Sequence, residues 1–166
     1  VHKVYEAVVY NAGGRYFPGV QSDIDIPLGF AGMVLPRITM GVGDLEAHTH
    51  LECVDIRGEL AWLRVQIHSG RQHQIRVHLA LEGTPIIGDK LYLFGEAFYK
   101  AHLDGGDVPM YAPHRHLLHA ARLSFSFKGA AYDYVAPVPD LMQTVFKAEI
   151  SQAMFPTEYS KLFRDR

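Results

Sequence analysis

The chain has 166 residues, 48% hydrophobic and 20% charged, with a formal net charge of −2. That is ordinary globular composition, long enough to bury a core, and residues 1–166 are read as one domain. The single cysteine, Cys53, excludes an intrachain disulfide and points to a reducing cytoplasm. No apolar run approaches the ~20 residues that cross a bilayer, so no membrane partner is expected. The acidic balance argues against a broad phosphate-binding surface, unless basic residues cluster on one face.

In chain order, Val1 to Tyr10 alternates, with Tyr5, Ala7 and Val9 on one side and Val4, Glu6 and Val8 on the other. This reads as a strand. A chain opening inside a strand, with no initiator Met and no signal-peptide pattern, is expected to be cut from a longer one. Asn11 to Gly14 is a turn. Residues 15–33 are irregular, with a short strand around Ile24–Ile26, and Pro36 to Gly43 forms an edge segment and turn. Ala47–Asp55 and Leu60–His68 are two strands, and the short Arg57-Gly58 connection suits a hairpin.

Next comes a strand-to-helix switch. Leu63, Val65 and Ile67 share one strand face. After Ser69-Gly70 the period changes: Ile75 and Leu79 stand four apart, and His73, Arg76 and Ala80 share another helical face. The helix spans roughly Gln72 to Glu82, with Gly83 at an αL stop and Pro85 beyond it. Its N-terminal turn sets free backbone N–H groups beside Arg71, His73 and Arg76, a pattern that favours an anion.

Phe94 to Pro113 is a long polar loop holding one helical turn near Ala97–His102, a length usually associated with function or mobility. Pro113 to Ala120 reads as a short helix. Ala121 to Phe127 is a strand with Leu123, Phe125 and Phe127 inward and Ser124 and Ser126 outward; Ala131–Val135 pairs with it. A final helix has Asp140 as N-cap and Val145, Phe146 and Ile150 apolar. Antiparallel strands with a few helices make an α+β domain.

Two histidine groups, His48-x-His50 and His114-x-His116-x-x-His119, have the residue types for a metal. Neither shows a Cys or an obvious carboxylate at ligand spacing, and His-Glu-x-x-His is absent, so no metal is expected. A Gly-x-Ser-x-Gly elbow is also missing, which argues against a serine hydrolase. Asp89, after Gly88, reads as a turn residue whose side chain ties down its own backbone.

The run Gly70-Arg71-x-His73-Gln74-Ile75-Arg76-x-His78, followed by Gly83-x-Pro85-Ile86-x-Gly88-Asp89-x-x-Tyr92, resembles the signature of RluA-type pseudouridine synthases. Arg115-x-x-Leu118-His119-Ala120-x-x-Leu123 resembles a later motif of that family, and Lys3-x-Tyr5-x-Ala7-x-Val9 an earlier strand motif. The resemblance runs to about Pro139. Leu93 departs from it, standing where the family commonly has Gly.

The resemblance implies a pseudouridine synthase-like fold, a mixed and mainly antiparallel sheet with flanking helices, of which this chain is the C-terminal part. It also implies a cofactor-free isomerase that converts uridine to pseudouridine in RNA. Ribosomal RNA is the expected partner, with transfer RNA the other candidate, and the chain is expected to be a monomer. By motif, Arg76 matches the active-site Arg that pairs with the nucleophilic Asp, and Tyr5 the Tyr that stacks on the target base. Ile75 is expected to line the same pocket. Arg71, His73 and Gln74 are expected either to contact substrate phosphates or to brace the turn. The family's His-Arg-Leu-Asp-type motif is absent, so the chain alone is expected to be inactive. The alternative is a non-catalytic RNA-binding or assembly module on the same fold.

Overall fold

The computed structural model describes residues 1–106, 113 and 115–148. Its centre is an antiparallel sheet. Strands β1 (His2–Tyr10), β5 (Thr49–Arg57) and β6 (Leu60–Ile67) form the middle, with β2 (Gln21–Ile24) at one edge. Beyond β1 lie β7 (Leu118–Phe127) and β8 (Ala130–Val135), giving the order β2-β5-β6-β1-β7-β8. A separate two-stranded ribbon pairs β3 (Leu28–Phe30) with β4 (Met40–Val42). Three helices flank the strands: α1 (Gln74–Leu81), α2 (Glu96–Leu103) and α3 (Asp140–Lys147). The domain is α+β, and the strand pairings described are all antiparallel. Among the described residues, no helix is long and apolar enough to cross a membrane.

Alternation decides which side of each strand is apolar. Tyr5, Ala7 and Val9 lie opposite Val65, Leu63 and Ala61, and this row turns inward. Ile75 and Leu79 of α1 join the same core as Val65 and Leu63. The opposite face carries Val8 opposite Trp62, and Phe146 of α3 meets the Trp62 ring edge-on at 5.3 Å. Both faces of the inner half of β1 are therefore covered. The polar residue Glu6 on that second face is satisfied by Trp62 Nε1, which donates at 2.6 Å, and by Arg64 Nε at 3.3 Å.

Helix α1 ends in a Schellman motif: the Thr84 N–H bonds the Leu79 carbonyl and the Gly83 N–H the Ala80 carbonyl. Gly83 has φ 76, as that motif requires. The chain then runs back along β1, where Ile87 N bonds Val8 O and Leu117 N bonds Ile87 O. This return places Gly88 against the 115–117 segment. Gly88 has φ 79, and a Cβ there would lie 2.4 Å from Arg115 O. Helix α2 is held by its first residue. The Glu96 carboxylate accepts the N–H groups of Met33, Val34 and Leu35 and the Thr39 hydroxyl.

Four sequence expectations change. Residues Leu118–Ala120, expected in a helix, start β7, because the open edge of β1 pairs with them: Ala7 lies opposite Leu118 and Tyr5 opposite Ala120. The helix in the long loop has two turns rather than one, fixed from outside by the Glu96 contacts. Leu123 and Phe127 are not inward; they are 38% and 57% exposed. Pro139, not Asp140, is the N-cap of α3; its φ of −60 sets the entry and no side chain caps the helix. Residues 107–112 of the long loop, His114 and Ile150 lie outside the described residues.

Gly83→Ala is expected to cost about 1–2 kcal/mol, the penalty of a side chain at positive φ in open space. Gly88→Ala meets backbone as well as the φ penalty, and is expected to cost clearly more. Urea unfolding of the two variants, monitored by Trp62 fluorescence, checks the order; equal costs would contradict the close approach at Gly88.

Candidate active site

Helix α1 starts from a strained residue. His73 is its N-cap and sits in the left-handed region at φ 54, where a non-glycine residue costs about 1–2 kcal/mol. Tyr92 holds it there. The Tyr92 hydroxyl accepts from Met40 N at 3.0 Å, so its own proton points to His73 Nδ1 at 2.9 Å. The rings meet nearly perpendicular, with centroids 5.7 Å apart. An imidazole that accepts at Nδ1 loses that bond on protonation. Burial, and then the nearby Arg76 charge, push His73 down to about 4. Burial in turn raises the Tyr92 hydroxyl to about 12.

Arg76, one turn on, forms a fork with Asp89. Its Nε donates to Oδ2 at 2.7 Å and its Nη2 to Oδ1 at 2.8 Å. The Asp89 side chain is fully buried and that of Arg76 is 15% exposed. The guanidinium carbon lies 5.0 Å from the Tyr92 ring centroid, a cation–π contact. Asp89 Oδ1 also accepts the N–H groups of Leu91 and Tyr92, both at 3.1 Å. Asp89 thus ties down its own turn, as its place after Gly88 suggests, and additionally holds Arg76. Burial would push the Asp89 carboxyl up, but the Arg76 fork and the Tyr92 N–H outweigh it and hold it below its ordinary value. Burial likewise opposes the charge on Arg76, and the Asp89 carboxylate more than compensates. His116 lies close enough to feel both charges; burial and Arg76 lower its pKa.

The expected site residues do not all meet. His73 and Arg76 belong to one cluster. Ile75 is 5% exposed and packs in the core beside Val65 and Leu79; its helical position faces the sheet. Gln74 takes the bracing role. Its Oε1 accepts the Ser69 hydroxyl and the Arg71 N–H, and its Nε2 donates to His48 O and to Thr49 Oγ1. All its hydrogen-bonding capacity is used inside the fold. The Thr49 hydroxyl in turn faces His78 Nδ1 at 2.8 Å, while His78 Nε2 donates to Ile26 O at 2.9 Å. Burial lowers the His78 pKa, and this network holds the ring neutral.

Arg71 points elsewhere. Its Nε donates to Glu46 O, and it lines a groove of about 430 Å³ with Asp25, His48, His68 and Ser69. Tyr5 is half-buried and lines a second groove, of about 320 Å³, with Lys3, Ala120, Leu123 and Tyr134. A β-bulge between Val4 and Tyr5 in the pairing with β7 re-aims this part of the strand. Sequence reasoning missed the carboxylates beside the first histidine pair. Strand β2 brings Asp23 opposite His50, with His50 Nδ1 2.9 Å from Asp23 Oδ1, and Asp25 2.5 Å from His48 Nδ1. Only the strand register could have revealed them. Among the described residues, no group of three or more His, Cys, Asp or Glu side chains is arranged to hold a metal.

These ionisations set a pH dependence. His73, His78 and His116 are lowered from 6.5, His73 to about 4. The unfolded chain therefore binds protons on these rings before the native state does, and stability falls as pH drops. The loss is expected to begin near pH 6.5 and continue toward 4, with Asp89 adding to it at lower pH. Urea midpoints measured across that window check the slope; a flat profile from pH 7 to 4 would contradict the neutral rings.

Residues 1–81 match the family model described as RNA pseudouridylate synthase. An uncharacterized RNA pseudouridine synthase of Chloroflexus aurantiacus is 34% identical over 149 residues, covering 89% of this chain and 42% of that protein. The ribosomal large subunit pseudouridine synthase D of Vibrio cholerae is 32% identical over 149 residues, covering 86% of this chain and 43% of that protein. Of the solved structures, human RNA pseudouridylate synthase domain containing 1 aligns at TM-score 0.61 and 21% identity, over 82% of this chain and 54% of that one. The fold is thus that of pseudouridylate synthase domains, and the chain spans less than half the length of these curated relatives. With Lys3-x-Tyr5 on β1 and His73-Gln74-Ile75-Arg76 on α1, this chain belongs to the RluA-type RNA pseudouridine synthase family.

Proposed function

We propose that this chain is the C-terminal part of the catalytic domain of an RNA pseudouridine synthase acting on ribosomal RNA. The observation that carries the reading is Arg76, held in a half-buried setting with three of its five donors outside the Asp89 fork, beside His73 and His116. The curated relatives named ribosomal large subunit pseudouridine synthase D support the choice of RNA. In this reaction the uridine N-glycosidic bond breaks, the base turns, and it rejoins the ribose through carbon. Arg76 orients the reacting carboxylate and keeps it ionised, against the tendency of a partly dry site to protonate it. Tyr5 presents an aromatic face to the extruded base. The carboxylate itself belongs to a His-Arg-Leu-Asp-type motif that this sequence does not contain. That absence favours one second reading, a non-catalytic RNA-binding or assembly module on the same fold.

Two tests follow. The 166-residue chain, incubated with ribosomal and transfer RNA, is expected to form no pseudouridine by mass spectrometry. Turnover would assign the chemistry to one of its own carboxylates. In a catalytically complete protein carrying this chain, Arg76→Ala and Arg76→Lys are each expected to lower single-turnover rates by at least about a hundredfold. RNA affinity should change much less. Equal losses in binding and turnover would make Arg76 a phosphate contact, and wild-type turnover in Arg76→Ala would remove it from the active site.

A further inference from the structure

We propose that Asp89 and Tyr92 are positioning residues, which clamp one edge of the Arg76 guanidinium and present its Nη1 end to the reacting groups. The proposal rests on the synthase reading above. A guanidinium has five N–H donors in a rigid plane. The Asp89 fork takes one on Nε and one on Nη2, and Nη1 takes no part in that fork. The three donors left lie on Nη1 and Nη2, at the end of the group, and can still hold a carboxylate by two N–H groups.

The clamp is stiff on every side. Asp89 cannot turn, because Oδ1 also takes the Leu91 and Tyr92 N–H groups and the Asp89 carbonyl accepts from Leu93 N. The Tyr92 ring is the floor beneath the guanidinium, and its hydroxyl is pinned between Met40 N and His73. The Asp89 charge also balances that of Arg76. What reaches the substrate side is therefore a set of aimed donors with little net positive charge. On this account Lys cannot replace Arg76, because an ammonium has no second edge to give to Asp89.

The clamp is tested first in the 166-residue chain, with no reaction involved. By NMR, the Arg76 Nε–H proton is expected to exchange slowly with water, with its Nη groups resolved by restricted rotation. A freely rotating guanidinium overturns the proposal, and this measurement needs no variant that might fail to fold. Asp89→Asn then sets an amide donor against an Arg76 donor. If Asp89 is what holds Arg76, the guanidinium leaves and His73 titrates above its value of about 4. If Arg76 stays, the lost Asp89 charge lowers His73 further, and the clamp is refuted.

The functional arm uses a catalytically complete protein carrying this chain. Asp89→Asn is expected to lower kcat about a hundredfold, with KM for RNA changed only a few-fold; unchanged kcat overturns the positioning role. Should Arg76→Ala itself keep full turnover, the synthase reading of Arg76 fails, while the NMR results still judge the clamp.

Discussion

A carboxylate with no exposed surface must be paired, and in this molecule much of the local structure follows from pairing Asp89. Four donors converge on it: two from Arg76 and two from its own turn. To supply the turn donors, the chain must reverse at Gly88, at a φ that leaves no room for a side chain against Arg115. That reversal sets Ile87 between Val8 and Leu117, and so lets β7 begin where it does along β1. Removing one partner of such a pair typically costs about 3–5 kcal/mol, because the other charge is left buried and alone. The sheet edge, the turn and the guanidinium are one mechanical unit.

A second polar unit fastens the start of the helix. Gln74, Thr49 and His78 run in a hydrogen-bonded line from the Ser69 hydroxyl to the Ile26 carbonyl, through otherwise apolar packing. Fully satisfied buried networks of this kind specify one arrangement rather than adding much net stability. The dense polar motif of the sequence therefore divides. Gln74 and His78 secure the helix, His73 and Arg76 face the candidate site, and Arg71 serves a different groove.

Most of the strands were legible, because alternation along residues 1–10, 47–55 and 60–68 reports directly on a half-buried pleat. The αL stop at Gly83 was legible from backbone chemistry alone. What could not be read was whatever depends on a distant partner. Leu118–Ala120 becomes strand only because β1 has an open edge, and the inward or outward sense of Leu123 and Phe127 depends on what lies above the hairpin. The site was legible in type but not in wiring. The motif singled out His73 and Arg76, which the structure brings together, while the Arg76 fork to Asp89 spans thirteen residues and two turns of chain that no periodicity links. Ile75 stands between site residues in sequence, whereas its neighbours in space are the core, and only the fold shows that.

The β7–β8 hairpin has a consequence for anyone handling this polypeptide in a tube. Among the described residues, strand β8 ends the sheet order, with β7 on one side only. Phe125 stacks on Tyr132 at 5.1 Å, with Tyr134 beside them, and Tyr134 and Val135 are 58% and 70% exposed. An open backbone edge next to an aromatic ladder is a template for strand addition. The charge on that strand, Asp133, is already engaged by Arg122 and Ser124. At high protein concentration, aggregation is therefore expected to run through β8, and a lysine introduced on that strand is expected to act as its gatekeeper.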